Sequence, residues 1–245
     1  MTCLDGSRML IPSLSDSVGF HLFIDGVYER TELTWLLREL QPGDVFVDVG
    51  ANIGGFTLPA ARRVGAHGLV VAVEASPRVA DYLRRNLEAN RIVNVRVFQT
   101  AVSDRTSNSV TFYAAPDHAF GAGGLGPGDG MRPISVEAKQ LDTLLAEQGV
   151  TTVRVLKVDV EGFEAAVFRG AEQLLTGSRP PTVLFEFYEW AERRSGTPGD
   201  AQRVLRQWGY DIWRIEDYVS GRPPMSDCLT REPGGNLIAR RSDHH

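Results

Sequence analysis

Val45-Phe46-Val47-Asp48-Val49 is an almost unbroken apolar run rich in β-branched residues, and Gly50-Ala51-Asn52-Ile53-Gly54-Gly55 follows it without a gap. A strand that is apolar on both faces belongs inside a parallel sheet covered on both sides. Glycines directly after it permit positive φ and let the backbone approach a neighbour or a ligand closely. In open α/β sheets ligands bind just beyond the C-terminal ends of the strands.

The flanking sequence supports such a sheet. Leu33, Leu36, Leu37 and Leu40 are spaced as on a helix over Thr31–Leu40, which Pro42-Gly43 stops. A helix is expected over Phe56–Val64 and a strand over Leu69–Glu74. A second helix runs from Ser76-Pro77, an N-cap with proline in the first turn, to Asn90. Val95–Thr100 is a third strand. The order βαβαβ implies a parallel sheet with right-handed crossovers. Val110–Ala114 and Ile134–Leu141 are further extended pieces. Helices are expected at Leu141–Gln148, Phe163–Leu175 and Asp200–Trp208. Strands are expected at Val153–Val158, Thr182–Phe187, Tyr210–Ile215 and Asn236–Ala239.

Two segments fit the pattern less well. Val18–Val27 alternates loosely around Asp25-Gly26 and reads as a hairpin. Ala119–Met131 has glycine at 121, 123, 124, 126, 128 and 130, too many to be fixed by burial, and reads as a mobile surface loop. No linker divides the chain. The expectation is one doubly wound α/β domain over residues 1–245, with an N-terminal hairpin and helix (1–41) ahead of a core (42–245) that carries the loop 119–131.

The formal net charge of −5 over 245 residues argues against a nucleic-acid partner. No stretch reaches membrane-spanning length, and Met1–Leu10 has no apolar region of leader length. Cys3 and Cys228 support neither a disulfide framework nor a zinc site. The expectation is a cytoplasmic protein with a small-molecule partner and no membrane partner. Oligomeric state stays open, a homo-oligomer included, and no function is placed on His244-His245.

The bend also discriminates between ligands. A dinucleotide fingerprint needs G-x-G-x-x-G, and Asn52 stands where the middle glycine belongs. A P-loop needs Lys-Ser/Thr after its glycines, and Phe56-Thr57 stands there instead. Glu74 ends the second strand, where a carboxylate can accept both ribose hydroxyls of a nucleoside cofactor. Asp48, Asn52 and Glu74 together favour a ligand cradle over a packing turn, and Asn52 counts against a nicotinamide dehydrogenase.

At these residues the sequence resembles the FkbM family of methyltransferases. The matching stretches are Pro42–Gly54, Glu74-Ala75-Ser76-Pro77, Ala101-Val102-Ser103-Asp104, Leu141–Leu145 and Leu156–Glu164. The resemblance implies a seven-stranded Rossmann-like sheet with an antiparallel last strand and S-adenosylmethionine as donor. It implies that Gly50, Asn52 and Gly54 line the methionine part of the donor, that Glu74 holds the ribose with Ala75 beside it, and that Ala101-Val102 lie by the adenine. Tyr28-Glu29 also fits the family, with Glu29 approaching the donor. Many members have proline directly after the acid, where this chain has Ala75.

Methyl transfer needs an aligned acceptor, exclusion of water and a place for the acceptor's proton. Asp159 falls at the end of the fourth strand and is the first candidate, with Lys157 and Glu161 on the same face if the strand continues. The structural alternative is a Lys157–Asp159 ion pair with Glu161 as a first-turn helix charge. Glu186, amid Leu184, Phe185 and Phe187, is a carboxylate that needs a partner. Asp159 and Glu186 together suggest a Mg²⁺ site. His118, just before the glycine-rich segment, is a candidate base. The expected reaction is O-methylation of a hydroxyl on a sugar or polyketide-type metabolite, a substrate class that rests on the resemblance. The alternatives are N-methylation of an amine or peptide, and a non-catalytic S-adenosylmethionine-binding protein.

Overall fold

The computed structural model describes residues 1–241; His244-His245 lie outside the described residues. The strands are β1 (Val45–Val49), β2 (Leu69–Val73), β3 (Val95–Phe98), β4 (Ala101–Val102), β5 (Ser107–Ala114), β6 (Arg132–Lys139), β7 (Val155–Val158), β8 (Thr182–Phe187), β9 (Tyr210–Arg214) and β10 (Gly235–Arg241). The α-helices are α1 (Ser17–Asp25), α2 (Arg30–Glu39), α3 (Thr57–Val64), α4 (Pro77–Ala89), α5 (Leu141–Glu147), α6 (Glu164–Arg169), α7 (Glu172–Thr176), α8 (Glu189–Glu192), α9 (Asp200–Gln207) and α10 (Ile215–Val219).

Seven strands form one sheet in the order β3-β2-β1-β7-β8-β10-β9. β1 to β3, β7 and β8 are parallel, and β10 runs antiparallel between β8 and β9. This is the doubly wound, Rossmann-like α/β architecture expected from the apolar runs. The chain winds outward from β1 to β3, then returns to β7 on the other side of β1. That reversal is the topological switch point, where such sheets bind ligands. β4, β6 and β5 form a separate three-stranded sheet.

Strand alternation divides the core between the sheet's two faces. Val47, Val49, Leu156, Val158, Phe185 and Phe187 pack with Leu141, Phe168 and Leu205 on one face. Phe46, Val70, Val155 and Leu184 pack with Leu36, Phe56 and Ile238 in a second cluster. Asp48 and Lys157 fall in the alternation with that second set, in strands whose remaining positions are apolar and, Val45 apart, buried. They are direct partners in the β1–β7 register. Polar residues in such strands need a reason beyond folding.

Three expectations are corrected. Val18–Val27 is not a hairpin but helix α1. Asp16 is its N-cap, accepting the Gly19 N–H at 3.1 Å, and Gly26 closes it at φ +66°. Asp25-Gly26 suits a hairpin turn and a left-handed helix cap equally, because both need positive φ. Phe163–Leu175 is two helices, α6 and α7. The Asp142 carboxylate accepts the Gln173 and Leu174 N–H groups at 2.8 and 3.0 Å, so the start of α7 is capped from a distant part of the chain. The segment 119–131 does not lie free on the surface. Phe120 is buried, edge-on to Tyr82 and beneath the Arg78 guanidinium at 4.2 Å, and Gly124 exchanges backbone hydrogen bonds with Tyr113.

Among the described residues no helix is long and apolar enough to cross a membrane. Phe185 and Phe168 meet edge to face at 5.4 Å with both side chains fully buried. Phe185→Ala is expected to cost about 3–5 kcal/mol, read as a lowered urea midpoint with little change in the denaturant slope.

Candidate functional site

The site is built from the ends of β1, β2 and β7. After Val49 the chain turns through Gly50 at φ +82° and Asn52 at φ +50°. The Gly50 and Ala51 N–H groups donate to the Val73 carbonyl at 2.9 and 3.0 Å. A Cβ on Gly50 would lie 1.8 Å from the Asp159 carbonyl oxygen, so only glycine lets the two strand ends come this close. Asn52 donates its N–H to Glu74 Oε2 at 3.0 Å, and Glu74 Oε1 accepts the Ser76 N–H at 2.9 Å. Glu74 therefore braces the bend with both oxygens. Each oxygen keeps a second lone pair for a ligand.

A cleft opens above these strand ends. Asp48, Gly50, Asn52, Glu74, Ala75, Ala101 and Val102 line it, and so do Lys157, Asp159, Glu161 and Glu186. Among the described residues its lining includes six carboxylates (Asp16, Asp48, Glu74, Asp159, Glu161 and Glu186) and one cationic side chain, Lys157. The Lys157 ammonium is buried, 3.0 Å from Asp159 Oδ2, 3.9 Å from Asp48 Oδ1 and 4.9 Å from the Phe56 ring centre. Burial alone would lower its pKa, but Asp159, Asp48 and Glu29 outweigh that and hold it raised. Asp48 Oδ2 accepts the Thr57 hydroxyl at 2.6 Å, while Oδ1 is buried without a hydrogen bond.

Carboxylate protons are held tightly in this environment. Glu29, Glu74 and Glu161 are each pushed up to about 7, first by burial and with Asp159 adding to it. Glu186 is raised well above the ordinary carboxylate value by burial, Asp159 and Glu161. A cleft so rich in acid and so poor in cation suits a cationic ligand, which would relieve the repulsion.

A protein family matches at this point in the chain. Residues 48–212, from the bend to β9, match the Methyltransferase FkbM domain. The chain belongs to that family. It is 31% identical to the 31-O-demethyl-FK506 methyltransferase FkbM of Streptomyces tacrolimicus, over 87% of this chain and 88% of that protein. It is 27% identical to the methyltransferase sdnD of Sordaria araneosa, over 91% of this chain and 88% of that one. Among solved structures, a precorrin-6y C5,15-methyltransferase from Geobacter metallireducens GS-15 superposes with a TM-score of 0.52 at 13% identity, covering 98% of this chain and 95% of that one. That likeness carries the fold alone. Family and fold make this chain a methyltransferase of the FkbM type.

In this FkbM-domain protein most residues expected at the site converge on the cleft, with three exceptions. Gly54 is absent from its lining; a Cβ there would meet Leu58 and Leu83 at 2.4 and 2.8 Å, so its smallness serves packing. His118 is exposed in a short 3₁₀ turn and does not line the cleft. Glu29 stands beside the cleft, accepting from Asn236 Nδ2 at 3.2 Å, close enough for Asp159 and Lys157 to act on its charge. Lys157, Asp159 and Glu161 do not share a strand face, because β7 stops at Val158 and Glu161 turns at φ +57°. The Mg²⁺ expectation finds no support: Asp159 is engaged by Lys157, and among the described residues no group of three or more His, Cys, Asp or Glu side chains is arranged to hold a metal.

Other lining residues carried no legible signal. Asp16 and Ser17 come from the segment read as a hairpin, and Gly121–Leu125 from the segment read as a free loop. The N-cap identity of Asp16 was the available clue.

The raised carboxylates set the pH response of the ligand-free protein. Between about 4.5 and about 7 the folded state holds protons that the unfolded chain has released, so stability falls as pH rises through that window. Thermal unfolding of the ligand-free protein is expected to show a higher midpoint near pH 5.5 than near pH 7.5 (both about). In Glu161→Gln that difference shrinks; an unchanged pH slope would remove Glu161 from the set.

Proposed function

We propose that the chain is an S-adenosylmethionine-dependent O-methyltransferase acting on a hydroxyl of a small molecule of the sugar or polyketide type. The observation that carries the donor assignment is the Gly50–Asn52 bend braced by Glu74 over a cleft of six carboxylates and one lysine. The residues fit the donor. Glu74 keeps lone pairs for ribose hydroxyls, and Ala101 and Val102 are small or apolar enough for a flat base to lie against. Asp48 Oδ1 lacks a hydrogen bond, and Gly50 brings backbone rather than side chain to the cleft. When bound, S-adenosylmethionine supplies a methyl group already activated on a cationic sulfonium.

The chain's own residues do the rest. Asp159, beyond the end of β7, accepts the proton of the acceptor hydroxyl. Lys157 orients Asp159 from 3.0 Å and balances its charge. Glu161 and Glu186 hold the acceptor's other donor groups, and as raised carboxyls they can also donate. Segment 121–125 helps to exclude water above the bend. The excess of carboxylates disfavours anionic acceptors by direct repulsion. The relatives support the acceptor class through their names: one is a 31-O-demethyl-FK506 methyltransferase, another a 2-O-methyltransferase, NoeI, of Sinorhizobium fredii.

Calorimetry with S-adenosylmethionine and NAD side by side tests the donor. Binding of the former alone is expected, with a loss of about tenfold or more in Glu74→Ala, because a buried carboxylate accepting hydroxyl and backbone donors contributes on the order of 1.5–3 kcal/mol. Affinity should rise between about pH 6 and about pH 8 as Glu74 and Glu161 ionise. Asp159→Asn is expected to lower kcat by about 10²–10⁴ while donor affinity stays within about threefold. Unchanged turnover in that variant removes Asp159 as the base.

A further inference from the structure

Asp16 belongs to neither the bend nor the strand ends, yet it lines the same cleft. It is 6% exposed. Its two carboxylate oxygens face two different parts of the molecule. Oδ2 accepts the Gly19 N–H at 3.1 Å and caps α1. Oδ1 accepts the Gly121 N–H at 3.3 Å, across 105 residues of sequence. Ser17 and Val18, at the start of α1, line the cleft on one side of this contact, and Gly121 to Leu125 line it on the other.

The contact continues down to the donor cradle. A Cβ on Gly121 would lie 2.2 Å from Asn52 Nδ2, so segment 121–125 rests directly on the Asn52 side chain. That side chain is itself held, its Oδ1 accepting the Ile53 N–H at 2.8 Å, and the Asn52 N–H donates to Glu74. One line of contacts therefore runs from α1 through Asp16, Gly121 and Asn52 to Glu74. The segment has anchors of its own, with Phe120 packed on Tyr82 and Arg78, Gly124 paired with Tyr113, and Arg194 Nη2 donating to the Gly126 carbonyl at 2.5 Å. The start of α1 has Asp16 as its polar anchor, with Val18 packed into the cluster beneath.

We propose that the seam between α1 and segment 121–125 is the gate of the cleft, and that Asp16 is the positioning residue that latches it shut. A ligand enters by parting α1 from the segment, which breaks the Asp16–Gly121 hydrogen bond and frees Asn52. Closure re-forms that bond and presses the bend into the shape that presents Asn52 N–H to Glu74. Asp16 touches no reacting atom. It acts through Gly121 and Asn52, so its effect falls on residence time of the donor and on acceptor KM rather than on the chemical step. The inference rests on the S-adenosylmethionine reading for its ligand readout, but not for its mechanical one.

Asp16→Ser separates the latch from the cap. Serine is as good an N-cap as aspartate, but its hydroxyl is too short to serve both Gly19 and Gly121. Gly121→Ala loads the opposite side of the seam without touching α1. Two measurements are made on the full chain. In the ligand-free protein, hydrogen exchange at amides 17–19 and 121–125 is compared between wild type and Asp16→Ser. Both groups should exchange at least about threefold faster in the variant, with α4 and β2 unchanged and the thermal midpoint within about 2 °C of wild type. With S-adenosylhomocysteine as the probe, dissociation measured by stopped flow should be about tenfold faster in Asp16→Ser and in Gly121→Ala. Exchange and dissociation both unchanged in Asp16→Ser would overturn the latch. So would a fall in midpoint with faster exchange throughout the chain, which is the mark of a purely structural cap. If the probe fails to bind wild type while exchange still responds at the seam alone, the donor assignment falls and the mechanical coupling stands.

Discussion

The architecture of the cleft depends on one buried cation. Lys157 sits at the central β1–β7 pairing, opposite Asp48 in register, and reaches Asp159 beyond the end of its own strand. Removing one partner of a buried ion pair leaves an uncompensated charge at a cost of about 3–5 kcal/mol. Lys157 therefore ties three features to one another: the last polar position of β1, the carboxylate after β7, and the Phe56 ring at the entry to α3. Hydrophobic burial would favour an apolar residue at 157, in line with its neighbours Leu156 and Val158. The lysine stands where carboxylates crowd a cleft, and it is the cation that most directly offsets the charges of Asp159 and Asp48.

The second constraint is steric. Gly50 allows β1 and β7 to end within a van der Waals contact of each other. The bend and Asp159 are consequently parts of one surface, so the two groups that the proposed function assigns to donor binding and to proton acceptance are adjacent by construction. Glu74 then does two things with one carboxyl group. It accepts the Asn52 and Ser76 N–H groups, and it remains at the wall of the cleft. Burial raises the proton affinity of this carboxyl, and the two backbone N–H groups it accepts oppose that rise without cancelling it.

Above this floor lies a covering assembled from pieces far apart in sequence, α1 from the N-terminus and segment 121–125 from the connection between β5 and β6. Neither has a large core of its own. Segment 121–125 is held by polar contacts and the neighbouring Phe120 ring, and α1 by its Asp16 cap and by Val18 and Leu22 in the cluster beneath; short elements with so few anchors open locally at lower free energy than the sheet beneath them.

Periodicity, apolar runs and turn chemistry determined the parallel sheet, most of the helices that cover it, and the glycine bend at Gly50–Asn52 with Glu74 beside it. These are local signals, carried by residues within one strand–turn–helix unit. The sequence alone was also enough for the Lys157–Asp159 pairing as an alternative, since two residues on one strand end cannot be far apart. Tertiary structure decided the rest. Asp25-Gly26 serves a hairpin or a helix cap equally well, and only the packing of Leu22 and Val18 against Ile53, Leu58 and Leu83 chose the helix. Glycine content made 119–131 look free, because a composition rule cannot see that Phe120 has a pocket or that Asn52 lies beneath Gly121. The split between α6 and α7 depends on Asp142, about thirty residues away. His118 and Gly54 stood at the right spacing, but spacing does not say that a loop carries the imidazole away from the cleft or that a glycine turns its open side to Leu58 and Leu83. Whatever depended on contacts within a turn or a strand was written in order along the chain; whatever depended on which distant surfaces meet had to wait for the chain to close on itself.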